Sequence, residues 1–209
     1  IVFNSPANPS GAVPPPAVVR DLARLAERRG VLLISDEIYR SFCYDEPLTS
    51  PATHNEQTLV LDGFGKTYGI TGWRLGYAHG PRAIVDQLAK LQQFTFVCPP
   101  APVQHAGLAA WDYDVSAIVA DYRRKRDRLV AGLRERFEFV IPRGAFYLFP
   151  KAPRGSGTEF ITEAVRHNLL LIPGCTFSRR DSHFRISYAA EDAILDRGIE
   201  ILNALANKR

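Results

Sequence analysis

The chain has 209 residues, enough for one or two compact domains with cores of their own. Hydrophobic residues make up 46% and charged residues 23%, and no apolar run is long enough to cross a bilayer, which excludes a disordered or membrane-spanning chain. The net charge is a modest +4, and Cys43, Cys98, Cys175 and five histidines are scattered without metal-ligand spacing, so neither a disulfide framework nor a metal site is expected and a cytoplasmic setting fits best.

The chain opens on "IVFNSP", an apolar run already in progress with no methionine and no targeting pattern before it, and reads as the interior of a longer chain. "IVF" is a strand that ends in the turn-rich "NSPANPSG". "PPPAVVRDLARLAERRG" follows as a helix opened by proline and closed by Gly30, with Val19, Leu22, Leu25 and Ala26 as its buried stripe. "VLLIS" (31–35) is short and apolar on both faces, as a strand covered by helices on both sides requires. "TLVLD" (58–62) repeats that theme, and "RLGYAHG" is a candidate fourth strand. Residues 83–91 and 103–111 read as helices, with "CPPAP" between them. Phe94 and Phe96 in "QQFTFVCPP" read as core residues in preference to the lining of an apolar pocket.

"DYDVS" carries cap residues for a long helix running to about residue 136. Its basic run "RRKRDR" (123–128) has the composition of a nucleic-acid patch, but Ile118, Val119, Tyr122, Leu129, Val130 and Leu133 keep helical spacing around it. The run is therefore expected to be the solvated middle of a helix, with no nucleic acid and no membrane as partner. Beyond it "FEFVI", "AFYLFP", "LLLIP" and "FRISYA" read as short strands, with helices at 160–167 and 191–206. The expected fold class is α/β: a mainly parallel sheet with flanking helices in residues 1–112, then a smaller α/β domain in 113–209 entered through the long helix.

In an open parallel sheet, ligands bind beyond the carboxyl ends of the strands. Asn8 follows the first strand, Asp36 and Tyr39 the second, and Lys66 and Arg74 the third. Each alone has an ordinary reading, as a turn residue or a surface cation. Together, an amide, a carboxylate, a phenol and two cations at successive strand ends form a site that loops have no structural reason to assemble. In "GFGKTYGITGWRLGY", Lys66 lies among glycines and aromatic residues beside a second cation, a place suited to an amine that attacks a carbonyl and forms a Schiff base. Arg74 offers a planar fork for a phosphate, and Asp36 a partner for a protonated pyridine nitrogen. Amine, phosphate clamp and pyridinium partner together describe pyridoxal 5'-phosphate.

At these residues the chain resembles the fold type I pyridoxal-phosphate aminotransferases of the aspartate aminotransferase class. "NSPANPSG", "SDEIY", "GFGKTYGITGWRLGY", "PRGAFYLFP" and "FRISYA" stand in the family's order along the whole chain. The resemblance implies that Lys66 carries the cofactor, that Asp36 pairs with its ring nitrogen, and that Asn8 and Tyr39 bond its ring oxygen. It further implies that Arg74 holds the phosphate and that Arg185, in "FRISYA", grips the substrate's α-carboxylate. The implied reaction moves an amino group between an L-amino acid and a 2-oxo acid, in a homodimer.

Two positions depart from the family's usual pattern: Gly65 stands where many relatives have serine or alanine, and Gly63 where some have a serine hydroxyl that helps hold the phosphate, which implies looser phosphate binding here. The segment before "FRISYA" carries "RRDSH" in place of a glycine-rich stretch. The resemblance also implies a preceding half with a phosphate loop and a ring-stacking aromatic residue, so the 209-residue segment alone is expected to be inactive. The rival readings are a carbon-sulfur β-lyase on the same scaffold and a non-catalytic effector domain of a regulator.

Overall fold

The computed structural model describes residues 1–207. The backbone divides into two compact units, the first made of Ile1–Pro6 with Val13–Ala117 and the second of Ala7–Ala12 with the chain from Ile118 onward.

The first unit is built on a four-stranded sheet, β1 (Val2–Asn4), β2 (Leu33–Asp36), β3 (Thr58–Gly63) and β4 (Gly76–His79), in that spatial order. β1, β2 and β3 run parallel, Leu33 opposite Thr58 and Asp36 opposite Leu61, and β4 returns antiparallel to β3. Helix α1 (Pro16–Arg28) covers one face of the sheet, packing Ala23 and Ala26 on Leu33 with Phe3 and Leu22 at the margin. Its buried stripe is Val19, Leu22, Ala23 and Ala26, at the i, i+3, i+4, i+7 spacing of one helix face. Leu25, expected in that stripe, lies outside it and is 42% exposed. The expectation of a sheet covered on both faces is also half met: Leu33 and Ser35 are buried, but Val2 on the opposite face is 75% exposed.

A single helical turn, α2 (Phe64–Thr67), follows β3 without a break, and α3 (Arg82–Gln93) and α4 (Ala101–Trp111) follow β4. Trp111 stacks on Phe64 at 4.9 Å and meets Tyr77 edge-on at 5.6 Å, which ties α4 to the turn after β3. Phe94 and Phe96 do not enter the core of this unit; both lie after α3 and are 86% and 66% exposed.

The second unit contains the long helix α5 (Ser116–Leu133), a three-stranded antiparallel sheet and two further helices. The Asp114 carboxylate accepts from the Ser116 amide at 2.9 Å and opens α5. The sheet comprises β5 (Tyr147–Leu148), β6 (Ile172–Pro173) and β7 (Phe184–Ser187), with β7 in the middle. Helix α6 (Gly157–Arg166) has a full capping box from Ser156 and Glu159, and α7 (Asp192–Asn207) closes the unit.

"FEFVI" forms no strand. Phe137 turns into the core against Phe160 and Phe184 with its amide donating to the Leu133 carbonyl at 3.0 Å, the Glu138 carbonyl accepts the Lys151 amide at 2.9 Å, and Val140 and Ile141 are exposed. The basic run on α5 is consumed within the unit: Arg124 bonds Asp192, Arg128 bonds Asp196, and Lys125 pairs with Asp121. Asp192 and Asp196 are held below the usual carboxylate range by these arginines. Arg126 departs from the expectation of a solvated face, being buried with Nη1 donating to the Pro142 carbonyl at 3.0 Å. None of the described helices is long and apolar enough to cross a membrane.

Candidate active site

Because β1, β2 and β3 are parallel neighbours, the residues that follow them emerge at one edge of the sheet. Asp36 is the last residue of β2, and its carbonyl accepts from the Ser5 amide at 3.1 Å and from Asn4 Nδ2 at 3.2 Å. Its Oδ1 accepts the Ile38 amide at 3.2 Å, which aims the carboxylate past the strand end. The turn that follows is anchored from below by Glu37, which is 1% exposed and accepts hydroxyls from Ser35 at 3.0 Å and Ser50 at 2.5 Å. This anchoring fixes Tyr39, which is buried with 4% exposure.

Lys66 sits in α2, half-buried, with Nζ 6.0 Å from the centroid of the Tyr39 ring. Among the described residues its amine has no hydrogen-bond or ion-pair partner. The turn that carries it is tight. A Cβ on Gly63 would lie 3.0 Å from the Leu75 carbonyl oxygen and 3.1 Å from Gly76 Cα, so the close approach of β3 and β4 leaves no room for a side chain there without movement. A Cβ on Gly65 would meet its nearest neighbour, Thr71 Cα, at an ordinary 3.4 Å. Of the two departures from the family pattern, then, only Gly63 is demanded by packing here.

Arg74 follows a short 3-10 turn (Thr71–Trp73) and has a left-handed backbone, φ 54°, that non-glycine residues rarely adopt. Its Nη1 donates to the Thr71 carbonyl at 3.1 Å, and its guanidinium is exposed beside the turn that holds Lys66.

Under these residues lies a charge network that sequence reasoning missed. Asp62, 9% exposed, accepts the Gly63 amide at 2.7 Å and the Tyr77 hydroxyl at 3.0 Å, and Arg40 Nη1 lies 3.7 Å from it and 3.8 Å from Glu37. Burial pushes the Asp62 carboxyl above its ordinary value, and burial, with Asp62 nearby, pushes the Tyr77 phenol up to about 12. Asp62 reads as a strand end in sequence; its partner Tyr77 is visible only once β4 is known to return antiparallel to β3.

Asn8 and Arg185, expected from sequence, come together in the second unit, where Arg185 Nη1 donates to Asn8 Oδ1 at 2.8 Å. The loop that carries Asn8 is clamped there by the Arg143 and Gly144 amides, which both donate to the Gly11 carbonyl at 2.9 and 3.0 Å. Gly11 has φ 66°, and a Cβ on it would lie 2.3 Å from Pro142 Cβ, so only glycine fits.

A two-unit α/β chain with a lysine, a carboxylate and a phenol at the carboxyl edge of a parallel sheet has the layout of the fold type I class. The profile of the family "Aminotransferase class I and II" matches residues 1–202, and the chain belongs to that family. It is similar to the aspartate/prephenate aminotransferase of Thermus thermophilus, with 36% identity over 96% of this chain and 54% of that protein. The crystal structure of the aspartate aminotransferase of Thermotoga maritima superimposes with a TM-score of 0.94 at 31% identity, over 99% of this chain and 56% of that one. The aromatic aminotransferase of Pyrococcus horikoshii gives a TM-score of 0.93 at 29% identity, over 98% of this chain and 58% of that one. The chain thus spans a little over half the length of these relatives.

Proposed function

We propose that the protein to which this chain belongs is an aminotransferase that exchanges an amino group between an L-amino acid and a 2-oxo acid, with pyridoxal 5'-phosphate held on Lys66. The observation that carries this reading is the partnerless Lys66 amine over the Tyr39 ring, next to the strand end that presents Asp36.

The donor set fits that cofactor. Lys66 Nζ would hold its aldehyde carbon, the Asp36 carboxylate its protonated ring nitrogen, Tyr39 and Asn8 its ring oxygen, and the exposed Arg74 fork its phosphate. When bound, the group supplies an electron sink for the pair left on the donor's α-carbon. With the group in place, Lys66 would be both its point of attachment and the amine that takes the donor's α-proton at Nζ. The Asp36 carboxylate would keep the ring nitrogen charged. Arg185, whose Nη1 donates to Asn8 Oδ1, would take the donor's α-carboxylate.

Relatives of comparable identity are named for aspartate, prephenate and aromatic substrates, so the reading stops at the α-amino acid class. A homodimer working in the cytoplasm belongs to the same proposal. The test is titration of the full-length, cofactor-loaded protein with a panel of L-amino acids: loss of the visible absorbance with release of one equivalent of 2-oxo acid supports it. Absorbance loss with ammonia release instead identifies a lyase and overturns it.

A further inference from the structure

The guanidinium of Arg185 lies between two aromatic rings that no reading of its motif required. Its carbon is 4.4 Å from the centroid of Tyr147 and 4.8 Å from that of Phe177. The sheet order explains how. β7, which carries Arg185, is central; β5 brings Tyr147 to one side of it, and the turn after β6 brings Phe177 to the other. Both rings are themselves fixed, Tyr147 buried beside Phe146 at 4.8 Å and Phe177 edge-on to Phe149 at 6.2 Å.

With Asn8 on Nη1 and Nε buried without a hydrogen-bond partner among the described residues, the guanidinium keeps nitrogen donors that no protein group engages. A planar carboxylate meeting the guanidinium fork makes two parallel hydrogen bonds. Cation–π attraction from the rings holds the fork in place before the ligand arrives, which lowers the ordering cost of binding.

We propose that Tyr147 and Phe177 are positioning residues, an aromatic slot that pre-orients Arg185 and sets how tightly the chain takes an α-carboxylate. The proposal rests on the aminotransferase reading for the identity of the ligand, but the slot itself can be tested without it.

The experiment compares Phe177→Leu, Tyr147→Leu and the ring-conserving Tyr147→Phe in the full-length protein. In the cofactor-free form, the rate at which phenylglyoxal modifies Arg185 is followed by peptide mass spectrometry. The adduct needs room above and below the guanidinium plane, so each leucine variant is expected to react about three- to tenfold faster and Tyr147→Phe within about twofold of the parent. In the cofactor-loaded form, spectral titration gives the affinity for 2-methylalanine, which keeps the α-carboxylate but has no α-hydrogen, and for isopropylamine, which lacks the carboxylate. The leucine variants are expected to bind 2-methylalanine about five- to tenfold more weakly, with isopropylamine unchanged. Unchanged modification rates overturn the slot. Equal weakening for both amines shows a general structural loss and overturns it as well. If the parent protein responds to no member of a panel of L-amino acids, the aminotransferase reading fails, while the modification rates still decide the slot. Phe177 is only half-buried, so its variant serves even if Tyr147→Leu fails to fold.

Discussion

Arg185 and Asn8, 177 positions apart in sequence, are joined by one hydrogen bond of 2.8 Å that holds the arginine proposed to take the α-carboxylate against the loop after the first strand. Hydrogen bonds to charged groups contribute about 1.5–3 kcal/mol. Asn8→Ala is therefore expected to raise KM for the amino donor by about tenfold or more, with a smaller fall in kcat. Steady-state kinetics on the full-length protein checks it; a kcat loss with KM unchanged contradicts the orienting role.

The clamp on that loop makes a stability prediction. At Gly11 a side chain meets both a left-handed backbone and the Pro142 ring. Gly11→Ala is expected to cost about 1–3 kcal/mol, read as a lowered urea midpoint, and to raise KM in the way Asn8→Ala does.

The two glycines around Lys66 separate cleanly. Gly65→Ala has space and lies in a helical turn, so it is expected to be neutral or to stabilise by up to about 1 kcal/mol. Gly63→Ala crowds the Leu75 carbonyl and Gly76, and is expected to cost about 1–3 kcal/mol. The structure thereby changes what a serine at 63 would test, because any gain in phosphate binding there is set against this crowding, whereas Gly65→Ser tests the hydroxyl alone. Thermal midpoints and cofactor titrations of the two variants measure the difference.

Asp62 gives a pH dependence with a definite sign. Its carboxyl is raised in the folded state by burial, so the unfolded chain loses this proton at lower pH than the folded one. The ionised carboxylate therefore subtracts stability once pH rises through the ordinary carboxylate range and beyond. Asp62→Asn is expected to be more stable than the parent at pH 7, with the gap closing as pH falls towards about 4. Urea midpoints across pH 3.5–7.5 check it, and a gap that widens in acid contradicts it.

What the sequence made legible follows from where its signals are strong. β2 and β3 announce themselves as short apolar runs between turn residues, and the parallel order of β1, β2 and β3 is enough to put Asp36, Tyr39 and Lys66 at one edge. "FEFVI" has the same local composition but no partner strand, so Phe137 packs as a single core residue. Arg126, in a run of charges, is buried with the Asp127 carboxylate on Nε and the Pro142 carbonyl on Nη1, and the second contact has no sequence period. Tyr147 was in view as part of "PRGAFYLFP", yet its meeting with Phe177 over Arg185 depends on the order β5, β7, β6, which antiparallel strands of two residues do not reveal.

The central claim is that Lys66, and no other lysine, holds the cofactor. Borohydride reduction of the full-length, loaded protein followed by peptide mass spectrometry tests it most directly. The expected result is the phosphopyridoxyl mass on the peptide containing Lys66, and no mark and no visible absorbance band in Lys66→Ala with its circular dichroism intact. The same mass on Lys90, Lys125 or Lys151, or a band that survives in Lys66→Ala, contradicts it.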